Sequence, residues 1–170
     1  MENDKFPKRK INRLKSWNYS NNGGYFITIC TDNRKHILSK ICVGDGLPDV
    51  PHIELTDNGR TVKEQFEIMN ALYEDIRVNH YVIMPNHIHF IVEITKRNGT
   101  SGRPSPTRSN AIISKYISTF KRFTNRKSGI DLWQRSYYDH IIRDEKDYME
   151  KLNYILSNPL KWFDDEYYSD

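Results

Sequence analysis

The sequence lacks the features that would place the protein in a membrane, outside the cell or in a disulfide-stabilised class. Its 170 residues contain no apolar run of about 18 residues, so no membrane-spanning helix is expected. The N-terminus has no apolar segment of the kind found in secretory signals. The only cysteines, Cys30 and Cys42, fit neither a disulfide framework nor a zinc knuckle. These absences predict a cytoplasmic protein with no membrane partner, folded as a single domain over residues 1–170.

Acidic residues are missing from a long central stretch. From Lys96 to Lys127 there are nine lysines and arginines and no Asp or Glu, although the net charge of the chain is only +4. A second basic cluster lies in the N-terminal arm, residues 1–22. Concentrated positive charge suits a polyanion such as nucleic acid, because each neutralised phosphate releases condensed counterions. Ordinary solvated surface is the alternative interpretation of the central cluster.

The hydrophobic pattern predicts seven elements in the order β-α-β-β-α-β-α. The strands are predicted at 25–31, 76–84, 87–95 and 132–143, and the helices at 58–73, 111–127 and 144–158. Glycines and prolines predict a loop over 38–57 and a flexible surface segment over 96–110. Asp144 is the expected N-cap of the last helix, which should end at Asn158, before Pro159.

Two β-α-β units in succession favour an α+β fold. The expected architecture is a ferredoxin-like split β-α-β plan, β-α-β-β-α-β, with an antiparallel sheet and helices on one of its faces. The helix over 144–158 is then an addition to that plan at its C-terminal end.

Two histidines flank one isoleucine in the strand-like run "MPNHIHFIV". Side chains alternate along a strand, so His87 and His89 point to one face, about 7 Å apart, and can converge on one ion. Half-buried core histidines are the alternative, and two imidazoles are an incomplete ligand set. On the last helix Tyr154 and Asn158 are i and i+4 neighbours beside the apolar face, so phenol and amide point into the same space. The residues alone leave open whether Tyr154 only packs its ring.

Three ordered motifs resemble the REP-associated tyrosine transposases, a bacterial branch of the HUH single-tyrosine transposase superfamily. They are "MPNHIHFIV", "WQRSYYDHIIRDEKDY" and "YILSNPLKW"; "YFITICT" and "LTDNG" are similar too, so the resemblance covers most of residues 9–162. It implies a metal-dependent endonuclease and strand transferase that cleaves single-stranded or hairpin DNA through a 5′-phosphotyrosine intermediate. By position, His87 and His89 form the HUH motif, Tyr154 matches the nucleophile, and Asn158 matches the third metal ligand. An amide oxygen there suits Mg²⁺ or Mn²⁺.

The resemblance also implies how DNA is held. Recognition of a short sequence beside a hairpin is expected from the N-terminal residues Arg9, Lys10 and Arg13. The acid-free stretch, with Lys96, Arg97, Lys121 and Arg122, is expected to track phosphates.

Tyr148, the rival nucleophile, lies on the apolar face of its helix and is expected in the core. Tyr137, Tyr138 and His140 are expected to pack within the fourth strand.

Two other functions remain open at the level of the sequence. One is a non-catalytic nucleic-acid-binding domain, because split β-α-β sheets commonly bind RNA or DNA. The other is a hydrolase that uses metal-bound water. A monomer is favoured, with a homodimer that exchanges the tyrosine helix as the alternative.

Overall fold

A computed structural model describes residues 23–42, 51–94 and 106–168. The strands of this part are β1 (Gly23–Cys30), β2 (Ser39–Cys42), β3 (His52–Leu55), β4 (Ile76–Ile83), β5 (His87–Ile94) and β6 (Tyr138–Ile142). Its α-helices are α1 (Asp57–Leu72), α2 (Pro106–Ser128) and α3 (Glu145–Ser157), and short 3-10 segments cover Asp32–Arg34 and Asn158–Asp164. None of the helices described here combines the length and the apolarity needed to cross a bilayer.

Four strands form one sheet in the order β4-β5-β1-β6. All neighbouring strands run antiparallel, and β5 lies between β1 and β4. The register pairs Cys30 with His87 and Thr28 with His89. The expected mixture of an antiparallel sheet with helices is therefore confirmed.

The sheet has two different faces, because side chains alternate along each strand. Ile27 and Phe90 point to the face covered by α1 and α2, where the main core includes Phe66 and Phe120, whose ring centroids lie 4.7 Å apart. The opposite face carries a smaller cluster of buried residues: Phe26, Val82, Met84, Ile91, Ile142, Ile155 and Trp162. Helix α3 supplies Ile155 to this second face. Since Thr28 and His89 pair beside Phe26, the histidines lie on the face that α3 covers.

The interval 38–57, predicted as a loop, contains strands β2 and β3, so that prediction was wrong. The two strands pair antiparallel, with Ser39 opposite Leu55 and Cys42 opposite His52. Their partly buried Ile41 and Ile53 pack against the smaller cluster, which stabilises the hairpin. The glycines and prolines that suggested a loop lie in 44–51, between the two strands in the sequence.

Two further boundaries differ from the predictions. Helix α2 begins at Pro106, five residues before the expected start, because proline is tolerated in a first turn, where the missing N–H would have no helical partner. Strand β6 covers only part of the interval 132–143. Residues before it make other contacts: Trp133 forms an isolated bridge with Thr31, and the Gln134 N–H donates to the Cys30 carbonyl.

The helix that carries the tyrosine begins and ends for local reasons. Asp144 caps α3 by accepting from the Asp147 N–H at 2.8 Å, as expected from the sequence. The α-helix ends at Ser157, and a 3-10 segment starts at Asn158 with Pro159 in its first turn. Proline has no N–H to continue the α-helical pattern, so the chain tightens there. The tighter turn brings Trp162 back into the smaller cluster.

Candidate metal and nucleophile site

The two imidazoles of the His-Ile-His motif are buried side by side at the start of β5. His87 is 0% and His89 1% exposed, and their ring centroids lie 4.5 Å apart. The Asn86 side chain fixes the tautomer of His87. Its Nδ2 donates to the Tyr167 carbonyl at 2.8 Å, so its Oδ1 faces His87 Nδ1, also at 2.8 Å, and can only accept. His87 therefore carries its proton on Nδ1 and presents the lone pair of Nε2.

His89 is held from three sides. Thr28 Oγ1 lies 2.7 Å from its Nδ1, and Phe26 stacks on its ring at 5.2 Å with an interplanar angle of 22°. The Tyr154 ring meets it edge-on, with centroids 5.1 Å apart. With Thr28 as the acceptor, the Nε2 of His89 is also free to bind an ion.

Burial keeps both histidines uncharged at neutral pH. It lowers the pKa of His87 from its ordinary value of 6.5 to about 4; the nearby Asp165 carboxylate opposes this shift, and Arg34 reinforces it. Burial also lowers the pKa of His89 well below the ordinary value, and the neighbouring His87 adds to the effect. Neutral imidazoles are the form that binds a metal, so no proton has to be removed first.

Two imidazole nitrogens and one amide oxygen of the candidate ligands are buried without a hydrogen-bond partner. Among the described residues, His87 Nε2, His89 Nε2 and Asn158 Oδ1 are buried side-chain atoms that make no hydrogen bond. The other amide atom of Asn158, Nδ2, donates to Asp165 Oδ2 at 2.7 Å, which holds the amide in one orientation. Buried polar atoms are nearly always satisfied, so a set of three lone pairs left over suits a cation. The residues present therefore fit a divalent metal.

On helix α3, Tyr154 lies against the ring of His89. Its side chain lines a cleft of about 370 Å³ together with His89, Tyr138, Lys151 and other residues. The hydroxyl donates to Asp165 Oδ2 at 3.4 Å, and the side chain remains 36% exposed. Partial burial raises the pKa of the phenol, and the negative charges of Asp165 and Glu166 raise it further. The tyrosine is thus accessible to a ligand in the cleft but protonated at neutral pH.

Known proteins share both the sequence and the fold. A Haemophilus influenzae protein of unassigned function is 34% identical over 180 aligned positions, covering 95% of this chain and 94% of that protein. A REP-associated tyrosine transposase from Escherichia coli K12 is 29% identical over 84 residues, 49% of this chain and 44% of that protein. A solved structure of a REP-associated tyrosine transposase bound to a REP hairpin superposes with a TM-score of 0.56 at 20% identity, covering 88% of this chain and 74% of that one. No family profile matches the chain.

The chain belongs to the REP-associated tyrosine transposases. This is a family of transposase-type enzymes. The solved relative shares the fold of this chain. The matched part of the E. coli transposase is less than half of that protein.

The structure describes only some of the residues of this chain that are predicted to contact DNA. Arg9, Lys10, Arg13, Lys96 and Arg97 lie outside the described residues. Arg122 is exposed on α2.

Lys121, the other predicted phosphate contact, has a structural task. Its ammonium donates to the carbonyls of Gln134, Arg135 and Ser136 at 2.7, 3.3 and 3.0 Å, and burial lowers its pKa to about 8. It therefore holds the segment before β6, and these bonds compete with any contact to phosphate.

The other aromatic candidates occupy separate positions. Tyr148, expected in the core, packs against the smaller cluster, and its hydroxyl donates to Glu93 at 3.0 Å. Tyr137 shares a hydrogen bond of 3.1 Å with Ser114, which agrees with a packing role. Tyr138 differs from the expectation: it is 41% exposed and faces the cleft, since it pairs with Thr28 on the histidine side of the sheet.

Several residues of the site were not identified from the sequence. Asn86 directly precedes His87, and Lys151 lies one helical turn before Tyr154, so adjacency and the i, i+3 rule would have found both. Asp165 and Tyr167 belong to an acidic terminal stretch without periodicity, and no local pattern marks them. Their positions depend on the turn that follows Pro159.

Proposed function

We propose that the protein is a metal-dependent DNA endonuclease and strand transferase that forms a 5′-phosphotyrosine intermediate on single-stranded or hairpin DNA. The observation that carries the proposal is the ring of the accessible Tyr154 against that of His89, with centroids 5.1 Å apart, together with three buried atoms of His87, His89 and Asn158 that lack a hydrogen-bond partner. Membership of the transposase family supports it. We assign the domain to the ferredoxin-like split β-α-β plan, which the strand order β4-β5-β1-β6 supports.

His87, His89 and Asn158 are the proposed ligands of Mg²⁺ or Mn²⁺. Two imidazole nitrogens and one amide oxygen are neutral donors of the types that such ions accept. A divalent cation held there would offset negative charge on a scissile phosphate and favour ionisation of the nearby phenol. Asn86 and Thr28 would keep the histidine rings in the tautomer and orientation that binding requires.

Tyr154 is the proposed nucleophile. Its phenolic oxygen attacks the phosphorus in line, a tyrosine–phosphate bond forms, and the bond to the 3′ oxygen breaks. The leaving oxygen takes up a proton and becomes a free 3′-hydroxyl. In the second half, the 3′-hydroxyl of another strand attacks the phosphotyrosine, and the phenolate leaves. Because phenol is a far stronger acid than an alkanol, the phenolate is a competent leaving group and rejoining requires no ATP.

The cleft beside Tyr154 is the proposed place for the DNA strand. Lys151 lines it, and the exposed Tyr138 offers an aromatic face on which a base can stack. Lys96, Arg97 and Arg122 are proposed to contact the DNA backbone. The N-terminal residues Arg9, Lys10 and Arg13 are proposed to recognise a short sequence beside a hairpin. Lys121 is proposed to contribute to DNA binding indirectly, because it supports the segment before β6.

The test is a covalent-adduct assay. The purified protein is incubated with end-labelled hairpin DNA taken from the sequence flanking its gene, with Mn²⁺ or with EDTA, and separated under denaturing conditions. A Mn²⁺-dependent labelled band is expected for the natural sequence and for Tyr148→Phe, whose hydroxyl is bound to Glu93. Tyr154→Phe should remove the band while the protein stays folded.

Each other result identifies a different function. An adduct that survives Tyr154→Phe would refute the assignment of the nucleophile. Cleavage without an adduct, retained in Tyr154→Phe, would indicate hydrolysis by metal-bound water. Binding that is insensitive to EDTA and produces no cleavage would indicate a non-catalytic nucleic-acid-binding domain.

A further inference from the structure

A carboxylate from the segment after α3 reaches the histidine pair. One oxygen of Asp165 and one ring nitrogen from each of His87 and His89 all lie within 4.8 Å of one another. Donor atoms around one ion, with bonds of about 2.1 Å, lie within about 4.2 Å of one another, so a small side-chain rotation suffices to bring the three together. We infer that Asp165 is an anionic ligand of the cation proposed for His87, His89 and Asn158, an inference that rests on the proposed function.

The fold holds Asp165 in place from both sides. Its backbone N–H donates to the carbonyl of Trp162 at 3.2 Å, and Trp162 is buried in the smaller cluster on the histidine face. On the other side, the carbonyl of Tyr167 accepts from Asn86, the same residue that orients His87. The segment around Asp165 is therefore held beside His87 by hydrogen bonds to main-chain carbonyls that do not use the Asp165 carboxylate.

The hydrogen bonds of the carboxylate leave room for a cation. Oδ1 accepts from the Tyr167 N–H at 2.7 Å, and Oδ2 accepts from Asn158 at 2.7 Å and from Tyr154 at 3.4 Å. An ionised carboxylate has about four lone-pair directions, so one remains after these three bonds. The hydrogen bond from Asn158 Nδ2 to Asp165 also leaves the Oδ1 of that amide free. Asp165 would therefore both bind the ion and orient the neighbouring ligand Asn158.

Charge is the reason why such a ligand is needed. Two neutral imidazoles and one amide leave the full double charge of the ion in a buried site, which is costly. A carboxylate halves the net charge and supplies the hard oxygen that Mg²⁺ and Mn²⁺ prefer. Asp164, the preceding residue, is exposed and is not part of the donor set, so it provides a matched control.

The first experiment measures Mn²⁺ binding to the full chain by titration calorimetry, with Mn²⁺ alone and no DNA. Asp165→Asn keeps the shape of the side chain but removes its charge, and it should weaken binding by about tenfold or more. Asp164→Asn should bind as the natural sequence does. An unchanged affinity in Asp165→Asn overturns the inference and leaves the proposed function standing.

The second experiment separates direct ligation from an effect through Asn158. Asp165→Cys is titrated with Co²⁺, and a thiolate that binds the ion adds a sulfur-to-cobalt charge-transfer absorption. This band should exceed the spectra of the natural sequence and of Asp164→Cys, which hold the same two native cysteines. Weaker Mn²⁺ binding in Asp165→Asn without a new band in Asp165→Cys would make Asp165 a positioning residue and overturn the inference. If the natural sequence binds neither ion, the proposed function itself fails.

Discussion

Acid should destabilise the metal-free protein through its buried histidines. The pKa of His87 is lowered by burial from 6.5 to about 4. Below pH 6.5 the unfolded chain takes up a proton that the folded chain excludes, so the free energy of unfolding falls with falling pH. The loss stops near pH 4, where the folded protein also takes up the proton.

The magnitude follows from the two pKa values. For His87 alone the loss reaches about 2 kcal/mol at pH 5 and about 3 kcal/mol at pH 4. The pKa of His89 is lowered as well, so the loss for the pair exceeds that for His87. A domain of this kind has about 5–15 kcal/mol of stability in total, which makes the effect large enough to measure.

The assay is urea unfolding, followed by fluorescence of the tryptophans, at several pH values between 7.5 and 4.5 without metal. His87→Asn should have a shallower dependence on pH than the natural sequence, whatever its stability at pH 7.5. His52→Gln, which changes an exposed histidine on β3, should retain the natural dependence. If His87→Asn and the natural sequence lose stability in parallel over this range, burial of a neutral His87 does not account for the acid sensitivity.

Three further predictions concern single contacts. Asn86→Ala removes the acceptor of the His87 ring proton and should weaken Mn²⁺ binding by about 10- to 100-fold in calorimetry. Gly59→Ala should destabilise the protein by about 2 kcal/mol or more in urea unfolding, because a Cβ there would lie 2.0 Å from a backbone oxygen; Gly129→Ala, at φ +71° in open space, should cost only about 1 kcal/mol. Thr124→Val leaves the buried Trp133 indole N–H without its acceptor at 2.7 Å and should cost about 1–3 kcal/mol by the same assay.

The sequence predicted the parts of the fold that local rules control. The apolar spacing of α1, the alternation of β4 and β5 and the Asp144 cap are local signals, and each agrees with the structure. The strands β2 and β3 were missed because each has only four residues and their pairing is stabilised by contacts with distant residues.

The same difference between local signals and long-range contacts decides which features of the candidate site could be predicted. His87 and His89 share a face because of strand alternation, and Tyr154 and Asn158 share a side of a helix because of helical periodicity. The ring contact between Tyr154 and His89, whose centroids lie 5.1 Å apart, depends on how α3 packs on the sheet. The position of Asp165 depends in addition on the turn after Pro159, which no periodic pattern in the sequence predicts.

Burial gives the proposed nucleophile and the proposed metal ligands opposite protonation states. It removes protons from His87 and His89, because charged imidazoles are poorly solvated there, and it retains the proton of Tyr154, because a phenolate would be poorly solvated too. The carboxylates of Asp165 and Glu166 make ionisation of the phenol still harder. A divalent cation bound at the proposed ligands would reverse only the second effect, since positive charge beside the phenol would favour phenolate while the neutral histidines are already in their binding form. In the proposed mechanism, the metal-free protein is therefore in the protonation state that binds an ion but not in the one that attacks a phosphate.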